Sequence, residues 1–290
     1  MRFSLSTGTL YAYPLSWIFG AARQAGFEGI ELVVNPEAIR RGGRAVRRLA
    51  EAEGIEILSV HPTVVPLPGW RERRNGIGPT IQLAQEIGAG LVVMHTPRSK
   101  SLDEGAGLVF RQRVETWQGR LAGSGQRLAI ENKAIRAEEE RYYALTPLDR
   151  LRAFADRHDL GLVLDAAHAG TAGEDLLAAR QVFDSRLCNV HLSDMGGRFP
   201  LAGFSLAHRF LKEHRFPGAG EMPLSDLLAD LKGNAYAGPV TLEVSPWAVH
   251  AWWPPAVRRR LAEALAWMKL ASGHDLPQDQ SKATAGHETG

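Results

Sequence analysis

Eight short apolar runs recur along the chain, and each is followed by a longer segment whose apolar residues have helical spacing. The runs are residues 2–5 (RFSL), 29–34 (GIELVV), 55–60 (IEILSV), 90–94 (GLVVM), 127–130 (RLAI), 160–164 (LGLVL), 187–190 (LCNV) and 239–242 (PVTL). The expected helices cover 14–24, 37–53, 77–87, 108–121, 147–157, 173–183, 224–231 and 256–271. Gly26, Gly54 and Gly88 follow three of them, where a glycine ends a helix without steric penalty. Thr146 is the expected cap of the helix that begins at Pro147. Strict alternation of strand and helix requires parallel strands, and eight such units can close on themselves. The expectation is an α/β protein, a single (β/α)8 barrel over residues 1–271. Residues 272–290 are polar, lack apolar periodicity and read as a disordered tail.

The bulk chemistry narrows the function. A hydrophobic content of 44% supplies a full core, and a net charge of +2 gives no general attraction to nucleic acid or to a membrane surface. Arginines cluster at Arg40, Arg41, Arg44, Arg47 and Arg48 and again at Arg71, Arg73 and Arg74. Solvated helix and loop surface is the favoured reading of both clusters, with a phosphate-attracting rim as the alternative. The single cysteine, Cys188, excludes an internal disulfide and fits a reducing, cytoplasmic setting; within a strand it reads as a small core residue. No apolar run approaches the roughly 20 residues of a membrane span.

The chemistry lies where the strands stop. The third run leads into His61, the fourth into His95, the fifth into Glu131, the sixth into Asp165 with His168 three residues on, the seventh into His191 and the eighth into Glu243. The second run carries Glu31 within its length. The C-terminal ends of barrel strands are where such enzymes place their active sites. Ionisable groups directly after buried apolar runs are costly unless they are paired or bind a metal. A mixed His and carboxylate set suits a divalent ion such as Zn²⁺, Mn²⁺, Co²⁺ or Mg²⁺.

The ordered segments GFEGIEL, SVHP, VVMHTP, AIEN, LDAAH, NVHLSD, PGAGEM and LEVSP resemble the xylose isomerase-like TIM barrel superfamily, which includes sugar epimerases and isomerases and the endonuclease IV type of abasic-site nuclease. The resemblance implies one metal held by Glu131, Asp165, His191 and Glu243, with Glu131 and Glu243 also acting as the acid/base pair. It implies a substrate-hydroxyl role for His168, and Lys133 and Arg198 are candidate contacts to substrate oxygens or a phosphate. His61, His95, His168 and His214 are candidate further metal or substrate ligands.

The expected activity is a metal-dependent isomerase or epimerase acting on a small sugar, sugar phosphate or related ketone. The alternatives are a zinc phosphodiesterase of the abasic-site type and a non-catalytic ligand-binding barrel. The nuclease reading is favoured by the His-rich rim. It is opposed by Lys212, which stands where the nuclease loop carries a ligating Asp, and by the third-strand loop HPTVVPLPG, which lacks an aromatic wedge for DNA. The expected partner is therefore a small sugar-like molecule and not nucleic acid or membrane. The long connection 193–223 is a candidate lid. Trp247, Trp252 and Trp253 line a pocket wall, join barrels into a homo-oligomer, or pack the last helix.

Overall fold

The computed structural model describes residues 1–63, 76–196 and 212–274. Eight parallel strands form a closed barrel in sequence order: β1 (Arg2–Ser6), β2 (Gly29–Val33), β3 (Glu56–His61), β4 (Leu91–His95), β5 (Arg127–Glu131), β6 (Gly161–Asp165), β7 (Leu187–Leu192) and β8 (Pro239–Leu242). β8 pairs back onto β1, so the sheet has no edge.

The surrounding helices are α1 (Leu15–Ala25), α2 (Pro36–Arg41), α3 (Gly43–Glu53), α4 (Ile77–Ile87), α5 (Gly105–Leu121), α6 (Leu148–Arg157), α7 (Ala166–Ala172), α8 (Leu176–Phe183), α9 (Leu224–Gly233) and α10 (Pro254–Ala271). Among the described residues no helix is long and apolar enough to cross a membrane.

Strand alternation splits the core. Outward-facing Val92, Met94, Leu128, Ile130, Leu162 and Leu164 pack under the helices in one continuous cluster. Inward-facing Leu91, Val93, Ala129 and Val163 form a small separate cluster, with Cys188 against it. Cys188 is partly buried and donates its thiol to the Leu162 carbonyl; burial pushes its pKa up to about 12. Polar side chains fill much of the remaining interior: Ser4, Glu31, Ser59, Asn189 and Thr241 are all fully buried. A polar interior is tolerable only because these groups bond one another.

Three local expectations are corrected. The single helix expected over 37–53 is two, α2 and α3, because Gly42 takes φ 74° and ψ 158°, which breaks the helical path. Thr146 does not cap α6; its hydroxyl donates to the Glu140 carbonyl at 2.6 Å, and Pro147 holds the cap position. Gly173 does not start a helix but ends α7 in the left-handed conformation, and the Asp175 carboxylate caps α8 by accepting from the Ala178 amide.

The five arginines at 40, 41, 44, 47 and 48 are exposed, with Arg41 and Arg47 paired to Glu37 and Glu51 one helical turn away. Trp247, Trp252 and Trp253 do not pack under the last helix: each is more than half exposed, and Trp247 and Trp252 meet at 4.8 Å between ring centroids. Arg71, Arg73, Arg74 and most of the tail lie outside the described residues, as do residues 197–211 of the expected lid. The two ends of that connection are tied together. Asp194 and Arg215 exchange backbone hydrogen bonds, and the Asp194 carboxylate accepts from the amides of Met195, Gly218 and Met222.

Candidate metal centre

Strand register brings the ligand candidates together. His95 lies beside Glu131 across β4 and β5, and Asp165 beside His191 across β6 and β7. All four are last or near-last in their strands, so they emerge on the same rim. Glu131, Asp165, His191 and Glu243 each offer a ligand atom, and these atoms lie within 4.8 Å of one another. His191 is at the centre. Its Nδ1 is 2.8 Å from Glu243 Oε2, 3.2 Å from Glu131 Oε1 and 3.9 Å from Asp165 Oδ2.

Two further groups flank this cup and share residues with it: His61, His95 and Glu131 on one side, and Asp165, His168 and His214 on the other. Glu131 and Asp165 each belong to two of the three groups. Of the site residues read from the sequence, these eight converge at one end of the barrel. Lys133 lines the cavity above them but is paired with Glu140 at 3.1 Å. Arg198 lies outside the described residues.

The donor set fits a divalent cation. Glu131 Oε2, Asp165 Oδ2 and Glu243 Oε2 are buried oxygens that make no well-formed hydrogen bond among the described residues, although Nε2 of His95 lies 3.2 Å from the first and Nδ1 of His191 2.8 Å from the last. Buried carboxylate oxygens of this kind are costly without a positive charge beside them. Imidazole protons supply it in part. Burial alone would lower the pKa of His61, but the adjacent Glu131 carboxylate and the charges of Glu31 and Glu243 raise it to about 9. Burial alone would raise the pKa of Glu243, but the adjacent His191 imidazole, with His214 and His61 behind it, holds it down to about 2. A metal ion would replace this imidazolium charge.

Backbone carbonyls set the histidines for ligation. Nδ1 of His61 lies 2.7 Å from the Pro62 carbonyl, and Nδ1 of His168 lies 3.0 Å from that of Asn132. Nδ1 of His214 lies 3.2 Å from the Glu243 carbonyl. A carbonyl only accepts, so each Nδ1 carries the proton and Nε2 is left with its lone pair for an ion. Asn132 was missed by the sequence reading. Its side chain bonds the Asp165 backbone in both directions, locking the ends of β5 and β6 together. Its position directly after Glu131 was the only available signal.

The cup opens into a cavity of about 650 Å³, a size that suits a small metabolite. Val109, Phe110 and Trp117 form one apolar part of its wall, and Arg98, Arg113 and Lys133 a cationic part. None of the three exposed tryptophans is among its lining residues.

Comparison with known proteins agrees with this architecture. The chain is 28% identical over 268 residues to an uncharacterised protein of Mycobacterium tuberculosis, covering 84% of this chain and 89% of that protein. It is 30% identical over 233 residues to a 3-dehydroshikimate dehydratase of Pseudomonas aeruginosa, covering 77% of this chain but 35% of that longer protein. The solved structure of a D-psicose 3-epimerase with D-tagatose from Clostridium cellulolyticum superposes with a TM-score of 0.65 at 13% identity, over 94% of this chain and 99% of that one. The family profile described as xylose isomerase-like TIM barrel matches residues 19–271, and the chain therefore belongs to that family.

Proposed function

We propose that the protein is a divalent-metal-dependent isomerase or epimerase that moves a proton beside the carbonyl of a small sugar, sugar phosphate or related ketone. The observation that carries this reading is the convergence of the buried carboxylates of Glu131, Asp165 and Glu243 on Nδ1 of His191, at 3.2, 3.9 and 2.8 Å, beneath a metabolite-sized cavity. A metal held by Glu131, Asp165, His191 and Glu243 would polarise a carbonyl and its neighbouring hydroxyl and stabilise an enediolate.

The chain's own groups do the rest. Glu131 and Glu243 have depressed pKa values, so both are ionised at neutral pH and one can accept the proton. The other carboxylate takes a proton from solvent and delivers it to the enediolate, while the first releases its proton to solvent, so the product carries a solvent-derived proton. His168 and Lys133 line the cavity wall and would hold substrate oxygens, Lys133 alongside its pairing with Glu140, and Arg98 and Arg113 beside them would favour a carboxylate or phosphate on the substrate. The dehydratase relative fits the same chemistry, since loss of water beside a carbonyl can open with the same proton removal.

Incorporation of deuterium from solvent into candidate sugars, keto acids and their phosphates tests the proposal. Exchange that depends on added Mn²⁺, Co²⁺ or Zn²⁺ is the expected result; no exchange with any of them in a metal-loaded protein counts against it.

One observation favours a second reading, a zinc phosphodiesterase: the three overlapping ligand groups share Glu131 and Asp165 as potential bridges. Lys212, two residues before His214 in the sequence, opposes it, because it stands where the nuclease loop carries a ligating Asp and a protonated lysine cannot supply that ligand. Three zinc ions per chain with cleavage of an abasic-site duplex would establish that reading, and one ion per chain with no cleavage would remove it.

A further inference from the structure

We propose that Glu31 is a positioning residue for the metal centre, one that holds His191 with its Nε2 protonated and its Nδ1 turned to the ion. This rests on the reading of Glu131, Asp165, His191 and Glu243 as a metal cup.

Glu31 sits mid-barrel on β2, fully buried, one layer below the rim. Its Oε2 lies 3.0 Å from His191 Nε2, on the opposite side of the imidazole from the three carboxylates of the cup. The same oxygen accepts from Ser59 Oγ at 2.8 Å and from Asn189 Nδ2 at 2.9 Å. Asn189 is held in turn: its Oδ1 accepts from Thr241 Oγ1, which contacts Ser4 Oγ at 2.7 Å. Residues from β1, β2, β3, β7 and β8 thus aim one carboxylate oxygen at one ring nitrogen.

A carboxylate cannot donate, so the proton between Glu31 and His191 belongs to Nε2. The lone pair left for an ion is then on Nδ1, the atom that faces the cup. An anion behind a ligating imidazole also raises its basicity, and losing such a partner typically costs 10–100-fold in metal affinity. The other Glu31 oxygen, Oε1, is buried and without a partner among the described residues. Satisfying the barrel interior does not require it, so an uncharged acceptor would serve the network equally well. A full carboxylate there points to a charge requirement set by the cation above.

The test is Glu31→Gln. Its amide oxygen can occupy the Oε2 position and accept the same three hydrogen bonds, while the charge is lost and the amide NH2 takes the partnerless Oε1 position. We expect the metal-free variant to keep the wild-type circular dichroism spectrum and to melt cooperatively at a lower temperature. Its dissociation constant for Mn²⁺ and Zn²⁺, measured by calorimetry on the folded protein, should rise 10–100-fold. A merely structural Glu31 would lower the melting temperature and leave the metal affinity unchanged, and that result overturns the proposal. Absence of metal binding by the wild-type protein overturns the cup itself and the inference with it. A second measurement needs no variant. Nitrogen-15 spectra of the zinc-loaded wild type should show His191 protonated at Nε2 and ligating through Nδ1; the opposite arrangement refutes the positioning role even if Glu31→Gln fails to fold.

Discussion

In the proposed reaction Glu131 and Glu243 each carry two roles, ligand and acid/base, and substitution can separate them. Glu243 borders the cavity and is partly exposed, so replacing it leaves the core intact. Glu243→Gln should reduce solvent-deuterium exchange by about 10²–10⁴-fold, the usual worth of a positioned acid or base. The variant should still fold, with a lower melting temperature from loss of the charge beside His191. Exchange at the wild-type rate would remove Glu243 from the proton path. Glu131 is a different case. It contacts His61, His95, His168 and His191, so Glu131→Gln is expected to lose metal affinity as well as turnover.

At the scale of elements, β2 and β6 run into their helices within three residues, whereas β3, β5 and β7 feed much longer connections. The α2–α3 pair after β2 shows how much such a short path depends on one backbone conformation. Gly42 has a backbone conformation essentially reserved for glycine, and its amide still bonds the Ala38 carbonyl to finish α2. Space is not the obstacle to a side chain, since a Cβ there would come no nearer than 4.0 Å to Glu86. Gly42→Ala should therefore destabilise the fold by about 1–3 kcal/mol through backbone strain alone. In urea denaturation this appears as a lower midpoint with an unchanged slope. An unaltered midpoint would show that the break between α2 and α3 adapts without cost.

For the whole molecule, the rim makes stability depend on pH and metal together. His61 has a folded pKa of about 9 against a reference of 6.5, so its stabilising contribution is complete below about pH 6.5 and disappears as the pH rises through 9. Glu243 has a folded pKa of about 2 against 4.5, so its contribution is complete above 4.5 and disappears as the pH falls through 2. The metal-free protein should thus melt highest between about pH 4.5 and 6.5 and lose stability toward pH 9. A flat profile from pH 6.5 to 9 would contradict the linkage. A bound ion requires neutral imidazoles and ionised carboxylates, so metal stabilisation should grow over the range where the metal-free protein weakens. At free metal 100-fold above its dissociation constant the gain is about 2.7 kcal/mol, visible as a rise in melting temperature that EDTA reverses.

The barrel and the identity of its rim residues were legible in the linear chain. Strand and helix are local patterns, and a charged or imidazole side chain directly after an apolar run is visible without knowing what faces it. That is how His61, His95, Glu131, Asp165, His191 and Glu243 stood out. Their meeting was not local. Glu131 and His191 are 60 residues apart and Glu31 and His191 160 apart, and only barrel closure and strand register bring them into contact. The same holds for Thr146, whose hydroxyl found the Glu140 carbonyl instead of a helix end, and for Glu31, which looks in sequence like any polar residue in a strand. Hydrogen-bond partners, proton positions on imidazoles and the cost of a buried charge are set by neighbours in space, so the folded barrel alone could assign them.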